Sequence, residues 1–155
     1  MEKYLLAVDG SEASQKAAEK ALELAQKTGA TVAILSVNSR RDDFGDQFVE
    51  VEVIEKARTE QTNEAIKKAE KIFEESGVDT EKIVKEGNPS EEICKVANNK
   101  DYSMIIMGSR GLSGMKRTFL GSIANEVVQN ANKPVLIVKE DLRHVQQDDP
   151  FQLTY

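Results

Sequence analysis

Short runs that are apolar on both faces alternate along this chain with longer amphipathic stretches, and few folds accept that alternation. The runs are Lys3 to Val8, Thr31 to Val37, Met104 to Met107 and Pro134 to Val138, with a shorter strand expected around Lys82 to Lys85. A half-solvated strand alternates polar and apolar side chains, whereas a strand covered on both faces does not. Between the runs lie helical stripes. Ala17, Ala18, Ala21, Leu22 and Ala25 form the first, closed by Gly29, and Val49, Val53, Ala57, Ala65, Ala69, Ile72 and Phe73 mark a long second one ending near Gly77. Asn88-Pro89-Ser90-Glu91 opens a third, continued by Ile93, Val96 and Ala97; Ile123, Val127, Val128 and Ala131 form the fourth. Five strands and four helices in turn predict an α/β fold, an open five-stranded parallel sheet with helices on both faces, Rossmann-like. Ligands of such sheets bind beyond the strand C-termini, where the strand order reverses. In the order 3-2-1-4-5, Asp9 after the first strand and Gly108 at the end of the fourth are neighbours at that place.

The fourth strand runs into Gly108-Ser109-Arg110-Gly111, and Gly121-Ser122 opens the helix that follows. Strand, glycine loop and helix start together make an anion site, because backbone N–H groups and the positive end of the helix dipole converge there. Ser122 is expected at the cap, where it adds a hydroxyl. From Tyr102 to Asn125 there is no acidic residue, while Arg110, Lys116 and Arg117 are basic, in a chain of formal charge −6. A local gap of that kind suits an anionic ligand. The stretch Ser109 to Leu120 is also twelve residues long, where connections in α/β units usually run about 2–6. Two plainer readings stay open: Gly108 and Gly111 also suit a tight turn, and Asp9 also suits capping of the helix beginning after Ser11.

Composition removes several classes of function. At 155 residues, 31% charged and 39% apolar, the chain has the balance of one soluble domain. No apolar run approaches the roughly 20 residues of a membrane span. The first strand gives way to Asp9-Gly10-Ser11 too early for a signal peptide, so a cytoplasmic location is expected. Cys94 is the only cysteine, expected to be buried beside Ile93 and Val96, and it allows neither an intrachain disulfide nor a cysteine-rich metal site. The only histidine, His144, leaves no Ser–His–Asp triad and no metal–histidine cluster. The P-loop pattern and the dinucleotide pattern Gly-x-Gly-x-x-Gly are both missing. The acidic balance disfavours nucleic acid as a partner.

Gly108, Gly111, Gly121 and Ser122 fit the spacing glycine, two residues, glycine, nine residues, glycine, serine or threonine. Together with Ala7-Val8-Asp9-Gly10-Ser11 and Lys133-Pro134-Val135-Leu136-Ile137-Val138, this resembles the universal stress protein family, from Lys3 to Lys139. Ser103 departs from the family's common aspartate, and Ser36-Val37 from its common His-Val pair. A domain over 1–139 and a polar tail over 140–155 follow from the resemblance. It implies an ATP site at the C-terminal edge of the sheet, with Ala7, Val8 and Asp9 against adenine and ribose and Val37 offering backbone contacts to the base. Met107 and Gly108 are then near the ribose, while Gly111, Gly121, Ser122 and Ile123 hold phosphates with Arg110 close by. Asp9 is placed to accept from ribose hydroxyls or to help hold Mg²⁺.

The expected function is that of an ATP-binding regulatory protein of the stress response, acting as a homodimer. It is not an enzyme built for turnover, because the loop offers no positioned base and no charged finger. A nucleotide-independent dimeric stress-response adaptor is the alternative, and the intact glycine–serine motif speaks against it. A slow ATPase or an adenylate-transferring enzyme ranks last, the latter because a His-x-x-His signature is missing. The dimer is expected through the fifth strand, Pro134 to Val138, an edge strand with no charge before Lys139. An exposed apolar edge invites aggregation unless it is paired or covered, and two copies about a two-fold axis pair it, as the resemblance also implies. The competing cover is the tail, through Phe151, Leu153 and Tyr155. Asn38 to Gln47 and Ser113 to Arg117, both polar, are expected to become ordered over a ligand.

Overall fold

A computed structural model describes residues 2–39, 51–99, 101–111 and 120–140. Along the chain stand β1 (Lys3–Ala7), α1 (Glu12–Thr28), β2 (Thr31–Ser39), α2 (Val51–Phe73), β3 (Thr80–Gly87), α3 (Pro89–Asn98), β4 (Met104–Gly108), α4 (Ser122–Asn130) and β5 (Val135–Val138). All strands are parallel, in the order β3-β2-β1-β4-β5 expected from the sequence. In register, Ala7 of β1 stands beside Leu35 of β2 and Met107 of β4, so β1 and β4 end at nearly one level while β2 runs four residues further, to Ser39.

The apolar runs are apolar throughout because each side of the sheet has its own core. Alternate side chains of a strand point to opposite faces. Leu6, Val32, Ile34 and Ile106 pack with the alanines of α1 and with Ala65, Ile66, Ala69 and Phe73 of α2. Leu5, Ala33, Leu35 and Ile105 pack on the other face with Ile93 and Ala97 of α3 and Ala124 and Val127 of α4. Helix ends follow local chemistry. Ser11 caps α1 by accepting from the Ser14 N–H at 3.1 Å, and Gly29, at φ 77°, closes it with its N–H on the Ala25 carbonyl. Asn88 caps α3 in the same way, with Pro89 at its first position. Cys94 is buried as expected, and burial pushes its thiol pKa up, which disfavours the reactive thiolate.

Several expectations are corrected. β3 is eight residues long, not four, because it is an edge strand whose exposed Glu81, Lys82, Lys85 and Glu86 hide it from a search for apolar runs. β5 begins at Val135, and Pro134 contributes only its carbonyl, which accepts from the Ile105 N–H. Val128 does not share the buried face of α4. It is 48% exposed, and Ala124 takes its place in the core. Val53 and Ala57 are likewise exposed, so the buried stripe of α2 begins near Thr62. Val49, Lys116, Arg117, His144, most of Asn38 to Gln47, the stretch Ser113 to Arg117 and the tail beyond Glu140 lie outside the described residues. Among the described residues no helix is long and apolar enough to cross a membrane.

Candidate functional site

The ends of β1, β2 and β4 open into a pocket of about 330 Å³, within the size range of small-molecule sites. It lies beside the boundary between β1 and β4, where successive strands stop adding on one side of β1 and begin on the other. Ala7, Val8, Asp9, Val37, Met107, Gly108, Arg110, Gly111, Ser122 and Ile123 all line it. Gly121, the remaining residue singled out in the sequence, is not in the lining and packs on the backbone of Ser109 and Arg110.

Besides the ligand contacts that the resemblance implies for them, the glycines meet packing needs of the protein itself. A Cβ on Gly108 would lie 2.7 Å from the backbone of Ala13, so this residue lets the start of α1 press against the end of β4. A Cβ on Gly111 would lie 2.7 Å from Asp9 Oδ2, so Gly111 makes space for a carboxylate of the protein itself. Gly121 donates its N–H to the Ser109 carbonyl at 2.7 Å, which closes the loop and removes that N–H from the groups available to an anion. Ser122 is not the cap either. Gly121 is, with no side-chain bond, and Ser122 is the first helical residue. The first turn of α4 is therefore uncapped by any cap side chain, with Ser122 and Ile123 on the pocket wall. Its N–H groups and dipole end supply the attraction for an anion there.

Asp9 combines its two readings. Its Oδ1 accepts from the Ser11 N–H at 2.9 Å, an Asx turn that sets up the cap of α1, and its side chain still borders the pocket. No group of three or more His, Cys, Asp and Glu able to hold a metal ion occurs among the described residues. Asp9 is the one carboxylate in the described lining. A Mg²⁺ ion there fits only if a ligand's phosphates supply further oxygens, which is how this ion is usually held. Arg110 lines the pocket, and its guanidinium is paired with Glu140 just beyond β5.

Sequence reasoning missed the wall supplied by α2, Arg58, Gln61 and Thr62; Asn38 and Ser39, which open the stretch expected to order over a ligand, line the pocket from the end of β2. Thr62 donates to the Arg58 carbonyl at 2.9 Å, and the Asn38 amide reaches the Thr59 hydroxyl at 3.5 Å. No local motif marks the α2 residues. They meet the pocket only because α2 packs beside β2.

A model of the universal stress protein family matches residues 1–139. Universal stress protein YxiE of Bacillus subtilis is 38% identical over 145 residues, covering 88% of this chain and 98% of its own. The solved structure of the hypothetical protein MJ0577, from Methanocaldococcus jannaschii, superposes with a TM-score of 0.73 at 31% identity, over 90% of this chain and 96% of that one. That of a universal stress protein from Archaeoglobus fulgidus in complex with dAMP gives a TM-score of 0.64 at 25% identity, over 90% and 98%.

Proposed function

This chain belongs to the universal stress protein family, and from that premise we propose that it binds an adenine nucleotide, ATP or a close relative, in the pocket beyond β1, β2 and β4. One observation carries the reading: the uncapped amino end of α4 borders the same pocket as Asp9 and Val37, beside the strand switch. A helix start of this kind attracts phosphate, and an apolar floor of Ala7, Val8, Leu35, Met107 and Ile93 suits a flat base. The dAMP bound by the related Archaeoglobus protein supports the same ligand class. Asp9 then meets ribose hydroxyls or a Mg²⁺ ion shared with phosphates, and Ser122 and Ile123 meet the phosphates.

The protein regulates rather than turns over substrate. Among the described lining no histidine or second carboxylate accompanies Asp9 to position a water for attack on phosphorus. Action as a homodimer through β5, in the cytoplasm, completes the reading. Isothermal titration of the full chain with ATP, ADP, AMP and adenosine tests it. Saturable one-to-one heat with at least one adenine nucleotide is expected, and no heat with any of them at millimolar concentration overturns it.

A further inference from the structure

The sequence between Tyr102 and Asn125 holds no acid, yet the folded chain brings one there. Arg110 Nη2 and Glu140 Oε1 are 2.5 Å apart, and the two side chains are only 15% and 11% exposed. The pair is held from both sides. Ser109 N–H bonds the Val138 carbonyl at 2.9 Å, which fixes the loop to β5, and Ser11 Oγ approaches the Arg110 carbonyl at 3.5 Å. Glu140 is two residues past the end of β5, so the sheet itself delivers the carboxylate to the loop. Among the described residues, the charged groups that line the pocket are Asp9, Arg58 and Arg110. Counted with Glu140, which pairs with Arg110 but is not in that lining, these described charges sum to zero.

We propose that Glu140 is a specificity-determining residue that sets the charge of ligand this pocket accepts, by occupying the guanidinium of Arg110 and opposing anionic groups beside the start of α4. The inference rests on the nucleotide reading above. A largely buried carboxylate is screened little by salt, and its field acts on each negative charge a ligand carries. The penalty therefore rises along the series adenosine, AMP, ADP, ATP. Arg110 contributes fully to phosphate binding only when the carboxylate yields, which adds to the penalty on a phosphate-bearing ligand.

Titration of the same four ligands against the native chain and Glu140→Gln tests this, since glutamine keeps the shape and removes the charge. ATP affinity is expected to rise by roughly three- to tenfold, and adenosine affinity to change by less than about twofold, with AMP and ADP between. A general rearrangement of the pocket moves all four ligands together and does not reproduce that gradient. Glu140→Ala serves as the second variant, and circular dichroism establishes that both fold. A uniform change across the series, no change, or weaker ATP binding overturns the proposal. If the native chain binds none of the four, the nucleotide reading fails; if it binds and the gradient is missing, only the role of Glu140 fails.

Discussion

Three residues decide whether the pocket keeps its shape. Gly111→Ala places a Cβ on the Asp9 carboxylate, 2.7 Å from Oδ2, and forces it off the Ser11 N–H. Nucleotide affinity is expected to fall about tenfold, the worth of one displaced polar contact, with the urea midpoint changed little; calorimetry and urea unfolding read the two effects. Gly108→Ala is the opposite case. Its Cβ meets the Ala13 backbone, which has no side chain to swing away, so stability drops by about 1–3 kcal/mol. An unchanged urea midpoint in this variant contradicts the close contact between β4 and α1. Asp9→Ala loses the Asx turn and a pocket carboxylate at once, and weakens ATP binding with a smaller loss of stability than Gly108→Ala.

At the scale of elements, α4 offers a paired comparison. Val127 is fully buried and its neighbour Val128 is 48% exposed. Val127→Ala is expected to cost about 2 kcal/mol and Val128→Ala less than about 0.5, by chemical unfolding of each. The chain's apolar letters alone did not separate these two. Val128 lies five residues after Ile123, roughly 140° round the helix from it, and only the packing against α3 and the sheet shows which side is inside. The long strands and helices were legible because burial on two faces leaves continuous apolar runs and alanine stripes. β3 was legible only in its middle, since an edge strand guards itself with charge. The motif residues of β1, β4 and α4 were legible as neighbours, and most of them line one pocket. Arg58, Gln61 and Thr62, which reach the pocket, and Glu140, which reaches Arg110, were not, because each arrives through tertiary packing from a distant part of the chain.

The opposite end of the sheet ties its elements together by a cluster with its own pH signature. Lys3 of β1 pairs with Glu81 of β3 at 2.7 Å and lies 5.3 Å from the centre of the Tyr102 ring, whose hydroxyl is 3.5 Å from Glu81. Burial first, and then the negative Glu81, push the Tyr102 pKa up to about 12 from 10.0. The folded state therefore keeps the phenol neutral where the unfolded chain ionises it. This contribution to stability is complete below pH 10 and is lost as pH rises toward 12. Tyr102→Phe is expected to flatten the fall in urea midpoint between pH 9 and 11.5. Burial also raises Tyr4, which leaves a residual decline. An equally steep decline in the variant contradicts the assignment.

The whole molecule has two different edges. β3 carries charges along its length, whereas β5, Val135 to Val138, is half-buried and pairs on one side with β4. Light scattering is expected to give twice the chain mass, and Val135→Lys, which puts a charge on that strand, to give the monomer. A native chain of monomeric mass contradicts pairing through β5. The proposed nucleotide site lies at the other end of the strands, where the pocket opens. Backbone amide resonances followed while ATP is added test it most directly. Shifts are expected to concentrate at Val8, Asp9, Val37, Gly111, Ser122 and Ile123, with the Lys3, Glu81 and Tyr102 cluster unmoved. Shifts confined to any other surface, or none at saturating ATP, would contradict it.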